Sequence, residues 1–507
     1  MANGRPASPP ALRRERRRRL PSDIPAHCGA KKLRDSGNCR ALEWHGSSAW
    51  KWRTKVSRPE AILESPGAAG GCACASSRGS MGVIVERDAD ATAVPRRNGL
   101  AAAFAGGAGG IAMAMAFGSY LLGLSAARNT ARSRAWEIAM AIFLALTPIA
   151  IALAIEALRR TPAGIPRAEE NGKAGGTVWT IFALLAVAHV LIAYLMLHPG
   201  PRPNIDVYTF QKTACDNLTR WIDPFGATQA DPYDARGSSL FFAQGLIRNG
   251  RVLEGFQYPP LTLAWILPGY LLGDLRASYV LAVLAAAAIL LALRPDRRGL
   301  WIAGVALLNP LTFVVEFCSF TEPLVYMTLC ATVYAAVKRR WWLPIAFGLF
   351  LASKQYNVLA LPLAVYLLPR FRWRECAQLL GWSLLTAGAT VLPFAVWNLR
   401  AFWHDLVLFN LMPPNRSDAL SFVVPFPWII RFGPVLVLAF IMWALLATNR
   451  SPAAFPTAYS TALLVLFATS RQAFANYFYL AGMAFLLSAA MLAAGGGGEK
   501  AAPRPSA

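Results

Sequence analysis

The sequence is dominated by apolar runs, many of them close to the roughly 20 residues that an α-helix needs to cross a bilayer. Hydrophobic residues make up 55% of the 507 residues and charged residues only 15%, against about 25% charged in soluble domains. This composition excludes a soluble enzyme, a secreted disulfide scaffold and a nucleic-acid-binding protein with one basic docking face. We predict an all-α polytopic membrane protein with about 12 (11 to 13) transmembrane helices. The candidate spans are 99–126, 136–158, 177–197, 260–293, 300–317, 323–337, 341–353, 358–368, 377–397, 432–447, 453–469 and 477–494.

The orientation of these helices follows from the Lys and Arg clusters between them, because such clusters tend to stay cytoplasmic. With the basic clusters inside, the loop 198–257 lies outside. Its six basic and six acidic residues are typical of a translocated loop, and we expect short interfacial helices within it. Segment 260–293 joins this outer loop to a basic cluster that lies inside, so it must cross the membrane an odd number of times. We therefore expect its leg 260–272 to be bent or re-entrant. The two short apolar segments on either side of Lys354 predict a tight hairpin shielded by its neighbours.

Residues 1–80 form a basic leader, with 16 Lys and Arg against 6 Asp and Glu and no apolar run of membrane-spanning length. The leader has no signal-peptide pattern, and we expect it to be disordered, with Met81 as the initiator. A tail that binds anionic lipid or nucleic acid is the alternative. The predicted divisions of the chain are a disordered leader (1–95), two extra N-terminal transmembrane helices (96–176), a main membrane domain (177–494) and a disordered tail (495–507).

In this topology several polar residues fall at the outer ends of apolar helices. Ionisable groups at membrane depth are costly and usually face a wet cavity or a charged partner. Asp206 is a candidate general base, since a partly desolvated carboxylate can take a proton from a hydroxyl; the alternative is a carboxylate that only solvates a helix end. Lys354 and Arg471 are candidate cations for a phosphate, the alternative being side chains that extend to the interface.

Glu316 lies in the apolar segment 300–317, and Glu322 lies just after it. Both are candidates to pair with Lys354 or Arg471, or to position a sugar. Glu322 is also a candidate cap for the helix that begins at Pro323.

The sequence shows no pattern for a metal or a nucleotide cofactor. Five scattered histidines offer no metal cluster, and the neighbouring pair His404 and Asp405 is weak evidence by itself. A phosphate-binding glycine loop, a dinucleotide fingerprint and an Asp-x-Asp triplet are all missing. We therefore expect no cofactor, no metal and no nucleic-acid partner.

Five short motifs at these outer corners form one series: Asp-Val-Tyr (206–208), Asp-Pro-Tyr (231–233), Tyr-Pro-Pro-Leu (258–261), Thr-Glu-Pro-Leu (321–324) and Ser-Lys-Gln-Tyr (353–356). Together, over about 177–494, they resemble the GT-C superfamily of integral-membrane glycosyltransferases. The likeness within it is to family 87 (DUF2029-type), the polyprenol-phosphate-mannose-dependent mannosyltransferases. The chain departs from that family in its two extra N-terminal helices and in having residues 319–322 where Gly-Gln often stands. The second departure leaves the sugar and the acceptor open.

The resemblance implies a GT-C-like helix bundle that transfers mannose, or another hexose or pentose, from a polyprenyl-phosphate donor. The acceptor would be an extracytoplasmic glycan or glycolipid, at the outer face of a bacterial inner membrane. Asp206 would activate the acceptor hydroxyl for inverting attack, and Lys354 and Arg471 would bind the donor phosphate. The residues expected to contact the substrates are Tyr208, Asp231, Tyr233, Tyr258, Glu316, Glu322, Gln355, Asn476 and Tyr477.

Two other functions stay open at the level of sequence. A transporter or flippase of lipid-linked sugars would favour broken helices and repeat symmetry, whereas this chain has one long outer loop and polar corners on one face. A ligase or polymerase of lipid-linked glycans would take a diphosphate donor and need more than one cation to hold it.

Overall fold

The computed structural model describes residues 94–126, 134–163, 175–198, 202–233, 237–238, 242, 245–411, 416 and 418–492. Nearly all of the predicted leader, Met81 and the predicted tail 495–507 lie outside these ranges. The described chain is mostly helical. Its α-helices are α1 (Val94–Ala126), α2 (Arg134–Arg160), α3 (Gly176–Leu197), α4 (Asp206–Leu218), α5 (Pro260–Leu271), α6 (Ala277–Leu293), α7 (Arg297–Leu308), α8 (Pro310–Phe317), α9 (Glu322–Val337), α10 (Leu343–Ser353), α11 (Trp373–Trp397), α12 (Leu399–Trp403), α13 (Phe409–Leu411), α14 (Gly433–Ala447), α15 (Ala454–Ala468) and α16 (Ala475–Leu492).

Five of the described helices are long and apolar enough to cross a membrane: α1, α2, α3, α11 and α16. The bent pair α7 and α8 makes a sixth if it is one span. Six further apolar helices have 10–17 residues: α5, α6, α9, α10, α14 and α15. By length and composition these helices are those of a membrane-embedded, multi-pass helical protein, and the number of about 12 spans stays a prediction.

Helices α1 and α2 pack on the rest of the bundle. Helix α1 packs along both α2 and α16, and α2 also contacts α15. Two glycines allow α1 and α16 to approach closely: a Cβ on Gly109 would lie 3.1 Å from the Cβ of Phe485, and one on Gly482 would lie 2.7 Å from Met113. Small residues of this kind are typical of tightly packed membrane helices.

The expected hairpin around Lys354 is present, and its return leg is not an α-helix. After α10 the chain continues as two successive 3₁₀ helices, Gln355–Ala360 and Pro362–Leu367. A 3₁₀ helix rises about 2.0 Å per residue against 1.5 Å in an α-helix, so these residues cover about 26 Å. The return leg thereby matches the 16-residue helix α9, which is about 24 Å long. This geometry explains how so short a segment returns to the opposite end of the bundle.

Gly348 sets how closely α10 packs on α11. A Cβ at this position would lie 2.4 Å from the carbonyl oxygen of Ser383 and 2.6 Å from the Cβ of Thr386. We expect Gly348→Ala to push the helices apart and to lower the free energy of unfolding by about 1–3 kcal/mol, the usual cost of overpacking. Thermal unfolding of the purified protein in detergent measures this change.

Gly381 on α11 is the matched control, because a Cβ there meets no atom within 4 Å. Gly381→Ala should unfold at the same temperature or a higher one, since alanine is the better helix former. Equal losses in the two variants would contradict the close α10–α11 contact.

Helices α7 and α8 meet at a break of 43°. Pro310 cannot donate a backbone hydrogen bond, which frees a carbonyl in the preceding turn. The structure satisfies the freed carbonyls with side chains: Thr312 Oγ1 donates to the Ala306 carbonyl at 3.0 Å, and His189 Nδ1 lies 2.8 Å from that of Leu307. Asn309 Oδ1 accepts from the Leu311 N–H at 3.0 Å. Side chains of the protein therefore satisfy the backbone groups at the break.

The outer loop contains a small sheet that the sequence did not predict. Helix α4 lies in this loop, and a small antiparallel sheet follows it, made of β1 (Gln229–Ala230), β2 (Ile247–Arg248) and β3 (Arg251–Val252) in the order β1-β3-β2. Segment 260–293 is divided into α5 and α6 at a turn in which Gly273 has a φ of +110°. The leg 260–272 therefore corresponds to a separate 12-residue helix, α5.

Candidate active site

Lys354 is the centre of a buried charged cluster at one end of the bundle. It lies in extended backbone between α10 and the 3₁₀ helices, and its side chain is almost fully buried. Its Nζ lies 3.3 Å from Glu322 Oε1 and 4.8 Å from the ring centroid of Tyr258. Tyr356 and Tyr477 place their rings 5.9 and 6.0 Å from the same ammonium group.

Glu322 balances the charge of Lys354. It is fully buried at the start of α9, and its Oε1 accepts a hydrogen bond from Tyr356 Oη at 3.4 Å. Its Oε2 accepts no hydrogen bond from the described residues. The structure thus confirms the pairing with Lys354 that the sequence indicated for Glu322, and it shows no side-chain cap at the start of this helix.

Asp206 is the first residue of α4, where a carboxylate suits the positive end of the helix dipole. Its Oδ1 accepts from the Val207 N–H at 2.8 Å, and the side chain is half-buried. Burial raises the pKa of Asp206, and the nearby charge of Arg416 opposes that rise. A carboxylate in this state is a better proton acceptor than an exposed aspartate.

Asp231 and Tyr233 support the backbone at Asp206. Asp231 Oδ1 accepts from the Tyr233 N–H at 3.0 Å, which fixes the start of the tyrosine side chain. Tyr233 Oη in turn accepts from the Asp206 N–H at 3.2 Å. The Asp-Pro-Tyr motif therefore holds the start of α4, with Asp231 acting through Tyr233.

Tyr258 joins the two parts of the site. Its ring faces the Lys354 ammonium, while burial, with the Asp206 carboxylate adding to it, raises the pKa of its phenol well above the usual value. A carboxylate and a cation from segments about 150 residues apart thus both act on Tyr258.

Arg416 is a member of the site that the sequence did not reveal. Its guanidinium binds Asp418 through two hydrogen bonds of 2.8 and 2.7 Å, lies 4.6 Å from the Phe474 ring and acts electrostatically on Asp206. The signal in the sequence is an Arg-x-Asp triplet in an outer loop, which is too common to be specific. Arg471, a predicted phosphate ligand, accepts the Arg416 N–H with its backbone carbonyl at 3.4 Å.

The remaining predicted site residues divide between this cluster and other parts of the protein. Gln355 Nε2 donates to the Gln257 carbonyl at 2.6 Å and ties the Lys354 corner to the outer loop. Asn476 is buried beside Tyr477, and its Oδ1 accepts no hydrogen bond from the described residues.

Tyr208 and Glu316 have partners outside this cluster. Tyr208 packs in the apolar core under the outer loop, with the Arg276 guanidinium 5.6 Å from its ring. Glu316 Oε1 lies 3.0 Å from His189 Nε2, and both side chains are buried. The predicted pairing of Glu316 with Lys354 or Arg471 is therefore replaced by a pairing with His189.

Glu254 is a second residue that the sequence did not single out. Its carboxylate lies beside His404 and Asp405, at the other end of the outer loop from Asp206. Burial and the Glu254 carboxyl raise the pKa of Asp405.

Comparison of the whole chain with models of known protein families, with curated proteins and with solved structures found no match.

Proposed function

We propose that this protein is an integral-membrane glycosyltransferase that moves a sugar from a polyprenyl-phosphate donor to a glycan or glycolipid acceptor. The observation that carries the proposal is that the Tyr258 ring faces the Lys354 ammonium, while Asp206 lies near enough to act electrostatically on the phenol of the same tyrosine. A proton acceptor and a phosphate-binding cation are the two groups that such a transfer needs from the protein. The order of the five outer-corner motifs and the likeness to GT-C enzymes give further support.

In this reaction an acceptor hydroxyl attacks the anomeric carbon of the sugar. A new C–O bond forms as the bond between that carbon and the phosphate oxygen breaks, so the configuration inverts. The hydroxyl proton passes to Asp206, and the electron pair of the broken bond leaves with the polyprenyl phosphate. The phosphate is a good leaving group and needs no acid on its side.

Lys354 stabilises the negative charge that grows on the departing phosphate. A lysine ammonium has three donors, and here Glu322 and Thr321 Oγ1 are two of its partners. The Tyr258 ring faces the same ammonium, so the phosphate would approach beside this ring. A preorganised cation of this kind acts most strongly where water is excluded.

The proposal places the site at the outer face of a bacterial inner membrane, in a GT-C-like bundle of about 12 spans. Helix α9 supports this orientation because its two ends differ. Glu322 at its start belongs to the site, whereas Arg339 just past its end lines a cavity of about 360 Å³ with Arg370, Arg372 and Arg450. Basic clusters stay on the cytoplasmic side, so the site end faces outward.

A flippase for lipid-linked sugars is the second candidate, and the bent pair α7 and α8 is the observation that favours it. In transporters such breaks line a cavity and offer their freed backbone groups to a substrate. Here Thr312 and His189 occupy the freed carbonyls, so the break has a structural explanation. This contrast favours the enzyme.

The test uses the purified full-length protein in liposomes that contain a short-chain polyprenyl-phosphate mannose. Release of polyprenyl phosphate is measured with and without glycan and glycolipid acceptors, and matched donors carry other hexoses or a pentose. We expect release that requires both the protein and an acceptor. Protein-free liposomes give the background rate.

Two results would contradict the proposal. Movement of the intact sugar lipid to the opposite leaflet without release would identify a flippase. Transfer only from polyprenyl-diphosphate donors would identify a ligase or polymerase, for which Arg416 would supply a second cation.

A further inference from the structure

A cluster of three side chains lies where the outer loop meets the helical segment after α11. Glu254 precedes Tyr258 by four residues, and His404 and Asp405 begin a π-helical turn, His404–Leu408. The three ligand atoms all lie within 4.8 Å of one another. His404 Nδ1 is 3.0 Å from Glu254 Oε2 and 3.1 Å from Asp405 Oδ1. Turns of this kind occur frequently at functional sites.

One oxygen of the Glu254 carboxylate, Oε2, is buried without a hydrogen-bond donor among the described residues. Glu254 is only 5% exposed, and the nearest cationic group to Oε2 is the His404 imidazole, whose Nδ1 lies 3.0 Å away. Buried carboxylates are stable when they are paired or bind a metal. The orphaned oxygen points into the cluster, toward the position that a cation would take.

Neighbouring groups orient the second carboxylate and add to the negative charge. Asp405 Oδ2 accepts from the Gly255 N–H at 2.8 Å, which leaves Oδ1 directed at the cluster. Asp223, held by Asn398 Nδ2 at 2.9 Å, lies close enough to act electrostatically on Asp405. Two carboxylates therefore contact one imidazole, with a third nearby, and the local charge favours a cation.

We propose that Glu254, His404 and Asp405 bind a divalent transition-metal ion of the Zn²⁺ type. An imidazole nitrogen and two carboxylate oxygens suit zinc, at metal–ligand distances of about 2.0–2.2 Å. A tetrahedron with such bonds separates its ligand atoms by about 3.3–3.6 Å, slightly more than the two contacts to His404 Nδ1. The side chain of His404 is 47% exposed, which gives the ion a path from solvent and leaves a fourth position for water.

The bound ion would join the two chain segments that cover the candidate active site. Glu254 leads through Gln257 to Tyr258, and Gln257 is also held by Gln355. On the other side, Asn410 Nδ2 donates to the Leu406 carbonyl at 3.0 Å and to that of Gln257 at 3.4 Å. The metal would therefore fix the position of Tyr258. Binding of the ion does not depend on which reaction the protein catalyses.

The experiment measures zinc binding by the full-length protein, purified without a polyhistidine tag and stripped with a chelator. Zinc alone is titrated by calorimetry, and bound metal is then counted by mass spectrometry after gel filtration. We expect a site that His404→Ala weakens at least about tenfold, because one of three ligands is lost. Asp405→Asn should weaken the same site.

The matched control is His198→Ala, which removes another histidine, one that stacks on Tyr194. The leader contains cysteines and histidines of its own, so the measured quantity is the difference between the His404 and His198 variants. A full equivalent of zinc lost in the first and kept in the second supports the site. Equal binding by both variants would overturn it, and so would saturation with Mg²⁺ but not with Zn²⁺.

Discussion

The Asp206→Asn variant should lose about 10²–10⁴-fold in the rate of sugar transfer while folding normally. Asparagine has the same size and can still accept the Val207 N–H that Asp206 Oδ1 accepts, so the start of α4 is preserved. Its amide cannot take the proton of the acceptor hydroxyl. The measurement is kcat for acceptor-dependent release of polyprenyl phosphate, together with the thermal unfolding temperature of each variant.

Asp216→Asn is the control for this result. Asp216 lies on the same helix, where its Oδ2 accepts from Lys212 Nζ at 2.7 Å and its Oδ1 from Tyr270. This variant removes an outer-loop carboxylate without touching the proposed base, and it should keep most of the transfer rate. Full activity of Asp206→Asn would refute the role of this residue even if the protein proved to be a glycosyltransferase.

Lys354→Gln should reduce transfer by about 10²–10³-fold, the usual effect of removing one preorganised donor to a developing negative charge. It should also lower the thermal stability, because Glu322 then becomes a buried charge without its partner. Breaking a buried pair from one side costs about 3–5 kcal/mol. The loss of transfer therefore has two explanations, and the single variant does not separate them.

The double variant Lys354→Gln with Glu322→Gln separates the two. Neutralising both partners removes the unpaired charge, so the unfolding temperature should return toward that of the original protein. Transfer should stay low, because the cation for the phosphate is still missing. Recovery of transfer together with stability would show that Lys354 only balances Glu322.

Much of the candidate site could be predicted because it lies at helix ends. The apolar runs and basic clusters assign each end to one side, so the outer corners at Lys354, Glu322 and Tyr258 are expected to lie together. The structure brings these three residues into contact. Local pattern and topology were sufficient for this part.

The missing parts depend on contacts that no local pattern records. His404 lies about 150 residues from Glu254 along the chain. Arg416 lies about 210 residues from Asp206, and it acts electrostatically on that carboxylate only because the fold brings the two segments near each other. Glu316 has His189 as its partner for a similar reason: the break at Pro310 exposes a carbonyl, and the histidine that satisfies this carbonyl also meets the glutamate. The 3₁₀ return leg was likewise not predictable, since its apolar residues suit an α-helix equally well.

The pairing of His189 with Glu316 has an electrical consequence for the bilayer. The Leu307 carbonyl can only accept, so His189 Nδ1 carries a proton. Nε2 and Glu316 Oε1 are 3.0 Å apart, and two acceptors at that distance require a second proton between them. Wherever that proton resides, the pair has no net charge. A membrane potential, which acts with about 2.3 kcal/mol on one elementary charge per 100 mV, therefore exerts no net force on this pair.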